Sequence, residues 1–192
     1  MLDVYKIRED FPILGKKVNN TDLIYFDNAA TSQTPNQVID VISDYYKQYN
    51  SNIHRGLHSL SADATNKYEN SRTIIKNHFG ASHEHEIIFT SGTTHGINII
   101  SSGLEKIISS KDELIVSEME HHSNIVPWQM LCEKTGSKLK VIPINDDGSL
   151  NMDEYKSLLT SAVKFVFINH VSNTLGIVNP VKEIIDLAHK NN

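Results

Sequence analysis

The 192-residue sequence predicts an α/β fold built on a doubly wound, mainly parallel sheet. Short segments rich in apolar, β-branched and aromatic residues alternate along the chain with longer segments of helical periodicity. Parallel strands need crossover connections of about a dozen residues or more, and the helical segments have that length. We expect residues 1–22 to form an N-terminal extension with a helix, and residues 23–192 to form one domain.

The strands and helices can be placed from their composition and their boundaries. Strands are predicted over residues 23–26, 86–90, 113–117, 139–144 and 164–169, because each segment is short and apolar. Helices are predicted over residues 35–49, 61–79, 95–108, 123–135 and 153–160. Gly80 and Gly136 follow two of these helices as stop signals.

A further helix is predicted after Asn179 and Pro180, and no strand follows it before Asn192. A crossover helix without its strand would leave one edge of the sheet unpaired. We therefore expect a fragment of a longer α/β protein, incomplete at its C-terminus. The alternative is a natural domain end with a docked terminal helix.

The composition argues against nucleic-acid and membrane partners. The chain has 23 acidic and 18 basic residues, whereas a domain that tracks phosphates usually carries a basic excess. It contains no run of about 18 apolar residues, and its acidic N-terminus does not resemble a signal peptide. The single cysteine, Cys132, cannot form an internal disulfide. We predict a cytoplasmic protein in which Cys132 is a small core residue.

Two strand ends are followed by polar sequences that could carry chemistry. Ligands of open α/β sheets bind beyond the carboxyl ends of the strands. Residues 91–96 read SGTTHG and lead into a helix, so their free N–H groups and hydroxyls suit a phosphate, although Ser and Thr are also ordinary N-caps.

Residues 118–124 read EMEHHSN. There His121 and His122 could stack on a ring, shuttle protons or, less favourably, bind a metal. The alternative is a solvated turn with Ser123 as a helix cap.

Three further segments could border a ligand. Asn173 follows the strand at 164–169 and could bind a hydroxyl or a carboxylate, or form an Asx-turn. Ala29 and Ala30 follow the first predicted strand and would allow close approach of a ligand. His54 and Arg55 could supply a charged rim, and both N-terminal segments could equally be plain loops.

Taken together, these segments resemble the Suf-type (group II) cysteine desulfurases, of the class V aminotransferase family of fold type I pyridoxal phosphate enzymes. In chain order they read YFDNAAT (25–31), NIHRG (52–56), FTSGTT (89–94), EHHSNIVPWQ (120–129) and HVSNTLG (170–176). The similarity extends from about Asp10 to the last residue and covers the N-terminal half of such an enzyme. It implies the large domain of that fold, truncated at the C-terminus, with pyridoxal 5'-phosphate as cofactor and no metal.

The resemblance also implies roles for individual residues. Thr93 and Thr94 resemble the loop that binds the cofactor phosphate. His121 resembles the histidine that stacks on the pyridine ring and assists proton transfer. Asn173 resembles the amide near the phenolic oxygen and the substrate carboxylate. The segments that border the substrate pocket in similar enzymes, some across a dimer interface, contain Ala29, Ala30, His54 and Arg55.

The implied reaction converts L-cysteine to L-alanine and leaves a persulfide on an enzyme cysteine, destined for iron–sulfur cluster assembly. The implied partners are a sulfur-acceptor protein of the SufE or SufU type and a second copy of the full-length chain. The family's cofactor-binding lysine, its pyridine-pairing aspartate and its nucleophilic cysteine would lie beyond Asn192, so we expect the isolated chain to be inactive. The His189-Lys190 pair is rejected as the lysine site because it lies at a predicted helix end.

One residue departs from the family pattern, and two alternative functions stay open. Ser91 stands where some relatives carry arginine, which leaves the dimer contact there in doubt. A selenocysteine lyase or another class V enzyme would share the same N-terminal motifs. A non-catalytic truncated or split product is the alternative from a different functional class.

Overall fold

The computed structural model describes residues 2–191, and the chain divides into two compact units. The N-terminal unit comprises Met1–Phe89 and the C-terminal unit comprises Thr90–Asn192. The predicted α/β class is confirmed, because the C-terminal unit contains a parallel sheet with helices on both faces. Within residues 2–191, no helix combines the length and the apolar character needed to cross a membrane.

The N-terminal unit is mainly helical. Its elements are α1 (Val4–Glu9), β1 (Lys17–Val18), β2 (Thr21–Asp22), α2 (Asn36–Asp44) and α3 (Ser59–Phe79). Short 3-10 turns cover Pro12–Gly15 and Glu84–Glu86, and a π-helical turn at Tyr45–Tyr49 extends α2. The two-residue strands β1 and β2 pair antiparallel. Helix α3 ends at Gly80 in the left-handed conformation, with φ of 68°, as predicted.

The predicted strands at 23–26 and 86–90 are wrong, since neither segment is a strand in the structure. A strand needs the backbone of a neighbour for its hydrogen bonds, and neither segment pairs with another strand among residues 2–191. The apolar side chains that suggested burial are accordingly open to solvent, with Phe26 at 92% and Ile88 at 72% exposure. Their β-branched and aromatic residues favour an extended backbone, but an extended segment becomes a strand only when a second strand pairs with it.

The C-terminal unit is built on a three-stranded parallel sheet in the order β4-β3-β5. Its strands are β3 (Glu113–Ser117), β4 (Lys138–Ile142) and β5 (Val163–Phe167). The predicted bounds of β3 are confirmed, and those of the other two lie within one or two residues. Val116 of β3 faces Val141 of β4 on one side and Phe167 of β5 on the other. All three strands therefore end at the same edge of the sheet.

Helices cover both faces of this sheet, which confirms the doubly wound arrangement. They are α4 (Thr93–Leu104), α5 (Val126–Thr135), α6 (Met152–Leu158) and α7 (Val181–Lys190). Successive residues of a strand point to opposite faces. Leu114 accordingly packs in a cluster with Trp128 and Cys132 of α5, while Ile115 packs in a second cluster with Tyr155 of α6. Cys132 is 8% exposed, as expected for a core residue.

The start of α5 differs from the prediction. The helix begins at Val126 rather than at residue 123, because His122–Asn124 form a separate 3-10 turn. Proline fits the first turn of a helix, where its missing N–H has no partner to lose, and Pro127 lies there. Ser123 is therefore not the cap of this helix, and the alternative in which it caps the helix is wrong.

Candidate functional site

The predicted site residues fall in both units of the chain. Thr93, Thr94, His121 and Asn173 lie in the C-terminal unit, close to the carboxyl ends of its strands or at the start of α4. The four predicted substrate-pocket residues of the N-terminal unit are Ala29, Ala30, His54 and Arg55.

The start of α4 has the geometry of an anion site. Gly92 precedes the helix with φ of 137°, a conformation that only glycine adopts without strain, and it has no side chain to cap the helix. The first turn contains no acidic residue, and both Thr93 and Thr94 are exposed. The first N–H groups of a helix lack intrahelical partners and lie at the positive end of its dipole. This loop therefore fits a phosphate dianion.

The loop before α4 is closed by a contact between a serine and a histidine. The Ser91 N–H donates to Nδ1 of His95 over 3.3 Å, and the Ser91 hydroxyl lies 3.0 Å from the same nitrogen. The Thr90 hydroxyl donates to the Gly92 carbonyl over 3.1 Å. These contacts hold the backbone of residues 90–95 from both sides of Gly92, so the glycine conformation is supported by its neighbours.

His121 begins the turn that follows β3, and its ring is itself the cap of that turn. The Ser123 N–H donates to Nδ1 of His121 over 3.1 Å, and the Ser123 hydroxyl lies 2.8 Å from it. Because a backbone N–H can only donate, Nδ1 must accept, and the neutral ring therefore carries its hydrogen on Nε2. His121 thus presents a fixed N–H donor, and the residue that fixes it is Ser123.

Thr94 and His121 line the same cavity, which has a volume of about 310 Å³. Its walls come from the start of α4, the 3-10 turn and the start of α5, and comprise Thr94, Asn98, His121, His122, Ser123, Val126, Pro127 and Met130. The structure thus brings together the predicted phosphate loop and the predicted stacking histidine. Thr93 and Asn173 are not among the residues that line this cavity. A larger groove of about 480 Å³ along β5 and α7 contains none of the predicted site residues.

Asn173 lies in a tight loop after β5. The Ser172 hydroxyl accepts from the N–H groups of Thr174 and Leu175, at 3.4 and 3.1 Å, and the Gly176 N–H donates to the Ser172 carbonyl over 2.9 Å. Asn173 is exposed, and its amide donates to the Thr174 hydroxyl over 3.3 Å. Its side chain is therefore not needed to hold the loop and is free for a ligand, whereas Ser172 has the structural role.

The two predicted alanines lie in a turn of the N-terminal unit. Ala30 donates its N–H to the Asp27 carbonyl over 3.2 Å. The Tyr25 hydroxyl is shared between the carbonyls of Asp27, at 3.1 Å, and Thr31, at 2.6 Å. Ala29 and Ala30 are exposed, so this turn presents small side chains at its surface.

His54 lies in a loop that is fastened to α3, and its own φ is 67°, in the left-handed region. Its backbone N–H donates to the Thr65 hydroxyl over 2.9 Å, and its Nε2 donates to Glu69 over 2.8 Å. Arg72 also contacts Glu69, over 3.1 Å. His54 and Arg72 together lower the pKa of the Glu69 carboxyl below its usual range. The adjacent Arg55 is exposed and donates its N–H to the Ile53 carbonyl over 3.0 Å.

Sequence reasoning missed the residues that hold these histidines. Ser123 was considered only as a helix cap in the alternative interpretation, and Glu69 was not singled out at all. A signal for Glu69 was available, because Ser61, Thr65 and Glu69 recur every four residues and so lie on one face of α3. Within residues 2–191 no group of three or more His, Cys, Asp and Glu side chains could hold a metal ion.

The comparisons with known proteins agree with the motifs. The aminotransferase class-V family model matches residues 24–192. The chain is 44% identical over 189 residues to a cysteine desulfurase from Synechococcus elongatus, covering 98% of this chain and 30% of that protein. It is 51% identical over 175 residues to a probable cysteine desulfurase from Staphylococcus epidermidis, covering 91% of this chain and 42% of that protein.

Solved structures give the same result for the fold. The cysteine desulfurase from Thermococcus onnurineus matches with a TM-score of 0.89 and 38% identity, over 100% of this chain and 46% of that chain. A cysteine desulfurase from Escherichia coli matches with a TM-score of 0.83 and 28% identity, over 100% and 47% of the two chains. The chain therefore spans less than half the length of these relatives.

Proposed function

This chain belongs to the class-V aminotransferase family, and we propose that it is the N-terminal part of a pyridoxal phosphate-dependent cysteine desulfurase of the Suf type. The observation that carries the proposal is the cavity lined by both Thr94 and His121, beside a helix start that fits a phosphate. The relatives named above as cysteine desulfurases support the choice of reaction.

In this proposal the start of α4 holds the cofactor phosphate. The N–H groups after Gly92 and the hydroxyls of Thr93 and Thr94 are the donors, and the positive end of the helix dipole favours the dianion. When bound, pyridoxal phosphate supplies an electron sink for the carbanion that forms at the substrate Cα. Asn173 is assigned to the substrate carboxylate, and Ala29, Ala30, His54 and Arg55 to the border of the substrate pocket.

His121 is proposed to lie against the cofactor ring and to move a proton. Its Nδ1 lone pair is taken by the Ser123 N–H, so in this tautomer the neutral ring offers its Nε2–H as a hydrogen-bond donor to a group in the cavity. The exposed ring at the wall of the cavity is accessible to a ligand there. Proton uptake at Nε2 requires the other tautomer, in which Nδ1–H donates to the Ser123 hydroxyl 2.8 Å away, so Ser123 determines the proton position on the ring.

The proposed reaction breaks the C–S bond of L-cysteine and forms an S–S bond on an enzyme cysteine. L-cysteine and the enzyme thiol give L-alanine and an enzyme persulfide. The sulfur atom moves to the enzyme sulfur, the persulfide keeps one of the two thiol hydrogens, and the alanine Cβ takes up one proton in place of the broken C–S bond. Cys132 is unsuited as the nucleophile, because it is packed in the core against Trp128 and Leu131. The nucleophile in this proposal lies outside the present chain, as does the lysine that binds the cofactor.

The biological context is part of the same proposal. The persulfide would supply iron–sulfur cluster assembly through a small acceptor protein of the SufE or SufU type. The full-length enzyme would be a cytoplasmic homodimer.

The test is made on the protein at the full length in which its source produces it. We expect L-alanine and persulfide from L-cysteine in equal amounts, and only when pyridoxal phosphate is bound. Alanine can be measured by mass spectrometry and the persulfide by labelling of the trapped thiol. Turnover of L-selenocysteine with none of L-cysteine would identify a selenocysteine lyase instead. Cofactor binding without turnover of either amino acid would contradict the proposed reaction.

A further inference from the structure

A buried carboxylate lies directly beside His121 in the chain. Glu120 is only 8% exposed, and its two oxygens accept three hydrogen bonds. Oε1 accepts from the Ser117 hydroxyl over 2.6 Å and from the Asn169 N–H over 2.8 Å. Oε2 accepts from the Asn124 amide over 2.8 Å. A carboxylate withdrawn from water is tolerated only where donors replace the water, and here each oxygen has one or more.

The contact between Glu120 and Asn124 closes the turn that contains His121. The two residues flank the segment 121–123, and their side chains meet across it at 2.8 Å. The other end of Asn124 is fixed as well, because its Oδ1 accepts from the Trp128 indole over 2.9 Å. Trp128 is 1% exposed and stacks on Phe167 of β5, with ring centroids 3.6 Å apart. The turn is thus anchored to the core of the C-terminal unit.

The contact between Glu120 and Asn169 joins this turn to the segment after β5. Asn169 lies 49 residues further along the chain, and Asn173 follows it in the same segment. The Asn179 amide donates to the Asn169 carbonyl over 3.0 Å, which extends the connection to the residues before α7. One carboxylate therefore contacts the end of β3, the last residue of the turn and the segment that follows β5.

We propose that Glu120 is the positioning residue of the site, acting through His121. Its two oxygens hold the His121 turn closed and in register with the segment that carries Asn173. The proposal depends on the proposed function for the role of His121. The consequence is that loss of the carboxylate displaces His121 relative to its substrate, and the chemical step is affected more than binding.

The test is Glu120→Gln in the full-length holoenzyme. Glutamine can keep its oxygen on Ser117 and Asn169, but it then places an NH2 group against the NH2 of Asn124, and two donors cannot pair. We expect kcat with L-cysteine to fall about tenfold or more, because misplacing a reacting group by a full ångström costs about 100-fold and the turn keeps part of its support. KM and bound cofactor should stay near wild type. The indole N–H resonance of Trp128, assigned by its loss in Trp128→Phe, should shift.

The matched control is Glu133→Gln, which removes an exposed carboxylate from the same region, on α5. It should leave kcat and the indole resonance unchanged. Wild-type kcat in Glu120→Gln would overturn the proposal, and so would a loss of kcat that only follows a loss of cofactor. If Glu120→Gln does not fold, Asn124→Ala decides, because it opens the turn but leaves the carboxylate with two donors. A fall in kcat is expected there, and wild-type kcat would again overturn the proposal.

Failure of the proposed function has a different signature. The wild-type holoenzyme would then form no alanine from cysteine, whatever residue occupies position 120. In that case the readout is the imidazole 15N spectrum of His121. Glu120→Gln should shift its Nε2–H signal while Glu133→Gln does not, and an unshifted signal would overturn the positioning role by itself.

Discussion

His121 and His54 both lie in turns held by a glutamate, but the two glutamates differ in burial. Glu120 is 8% exposed and is surrounded by uncharged donors. The side chain of Glu69 is 44% exposed and contacts two basic side chains, His54 and Arg72. The buried glutamate acts through the geometry of its hydrogen bonds, whereas the exposed one acts through charge that solvent and salt can screen.

The units that carry these turns differ in the same way. The His121 turn stands on a parallel sheet with a buried cluster on each face. The His54 loop is held to α3 by polar contacts, and only Ser61 and Ala64 of that helix are buried. Packing in the C-terminal unit therefore supports the position of His121, whereas surface hydrogen bonds in the N-terminal unit support the position of His54. The effects of substitutions in the two turns should therefore differ in size, in salt sensitivity and in pH dependence.

The largest effect is expected at His121, the histidine of the turn that the buried Glu120 holds. His121→Ala in the full-length holoenzyme should lower kcat by about 100-fold or more, the usual contribution of a positioned proton-transfer group. Bound pyridoxal phosphate should fall much less, because in the proposed function the start of α4, and not His121, binds the phosphate. Steady-state turnover and the absorbance of the bound cofactor measure the two quantities on the same sample.

The adjacent histidine provides the control for that experiment. His122 lines the same cavity, and the two rings are edge to face with centroids 6.3 Å apart. His122→Ala should therefore have a clearly smaller effect on kcat. Equal effects would show that the wrong histidine was assigned, and loss of cofactor with an unchanged rate per bound cofactor would contradict the proton-transfer role.

A medium effect is expected from a glycine in the His54 loop. A Cβ added to Gly56 would lie 2.4 Å from both Cβ and Oγ of Ser61. The Ser61 hydroxyl accepts from the Gly56 N–H and donates to the Asn52 carbonyl, so moving it releases the loop from α3. We expect Gly56→Ala to lower the free energy of unfolding by about 1–3 kcal/mol, measured by chemical denaturation.

The control for Gly56→Ala lies in α4. Gly103 has no atom within 4 Å of an added Cβ, and alanine favours the helix by about 1 kcal/mol. Gly103→Ala should therefore leave stability unchanged or raise it. Equal losses in the two variants would mean that the Ser61 contact does not hold the loop.

The smallest effect is expected from the exposed glutamate. The pKa of Glu69 is lowered by its hydrogen bonds to His54 and Arg72, so its ionised form stabilises the fold above its ordinary pKa of 4.5. That stabilisation is lost as the pH falls below 4.5 and the carboxylate takes up a proton. The stability difference between wild type and Glu69→Gln should accordingly shrink in acid.

Salt gives an independent measurement of the same contrast. In about 1 M salt, where the screening length is about 3 Å, the difference for Glu69→Gln should nearly vanish. The difference for Glu120→Gln should persist, because it arises from mismatched donors in the protein interior. Equal salt sensitivity at the two positions would remove the distinction between the turns.

A structural feature could be predicted from the sequence where neighbouring residues in the chain determine it. The bounds of β3 followed from its composition, because its three central residues, 114–116, are apolar and β-branched or leucine, as in a strand buried on both faces, and a polar residue lies at each end. The stops at Gly80 and Gly136 followed from the backbone freedom of glycine. The strand predictions at 23–26 and 86–90 were wrong, because pairing depends on a neighbour that the local sequence does not contain.

The residues of the candidate site also differ in how far the local sequence could predict them. Thr94 and His121 were both expected beyond strand ends, and they do line one cavity, although only His121 follows a strand of the structure, β3. The role of Glu120 could not be predicted, because its Asn169 donor is 49 residues away. The left-handed conformation of His54 could not be predicted either, because contacts with α3 hold it and the residue is not a glycine.

The central position of β3 has a consequence for how the molecule opens. Its backbone is hydrogen-bonded on both edges, and both of its faces are covered by helices. Its amide hydrogens therefore reach solvent only when the layers around them separate together. In heavy water these amides should be the last of the C-terminal unit to exchange for deuterium. Their exchange rate would report the free energy of complete opening of that unit.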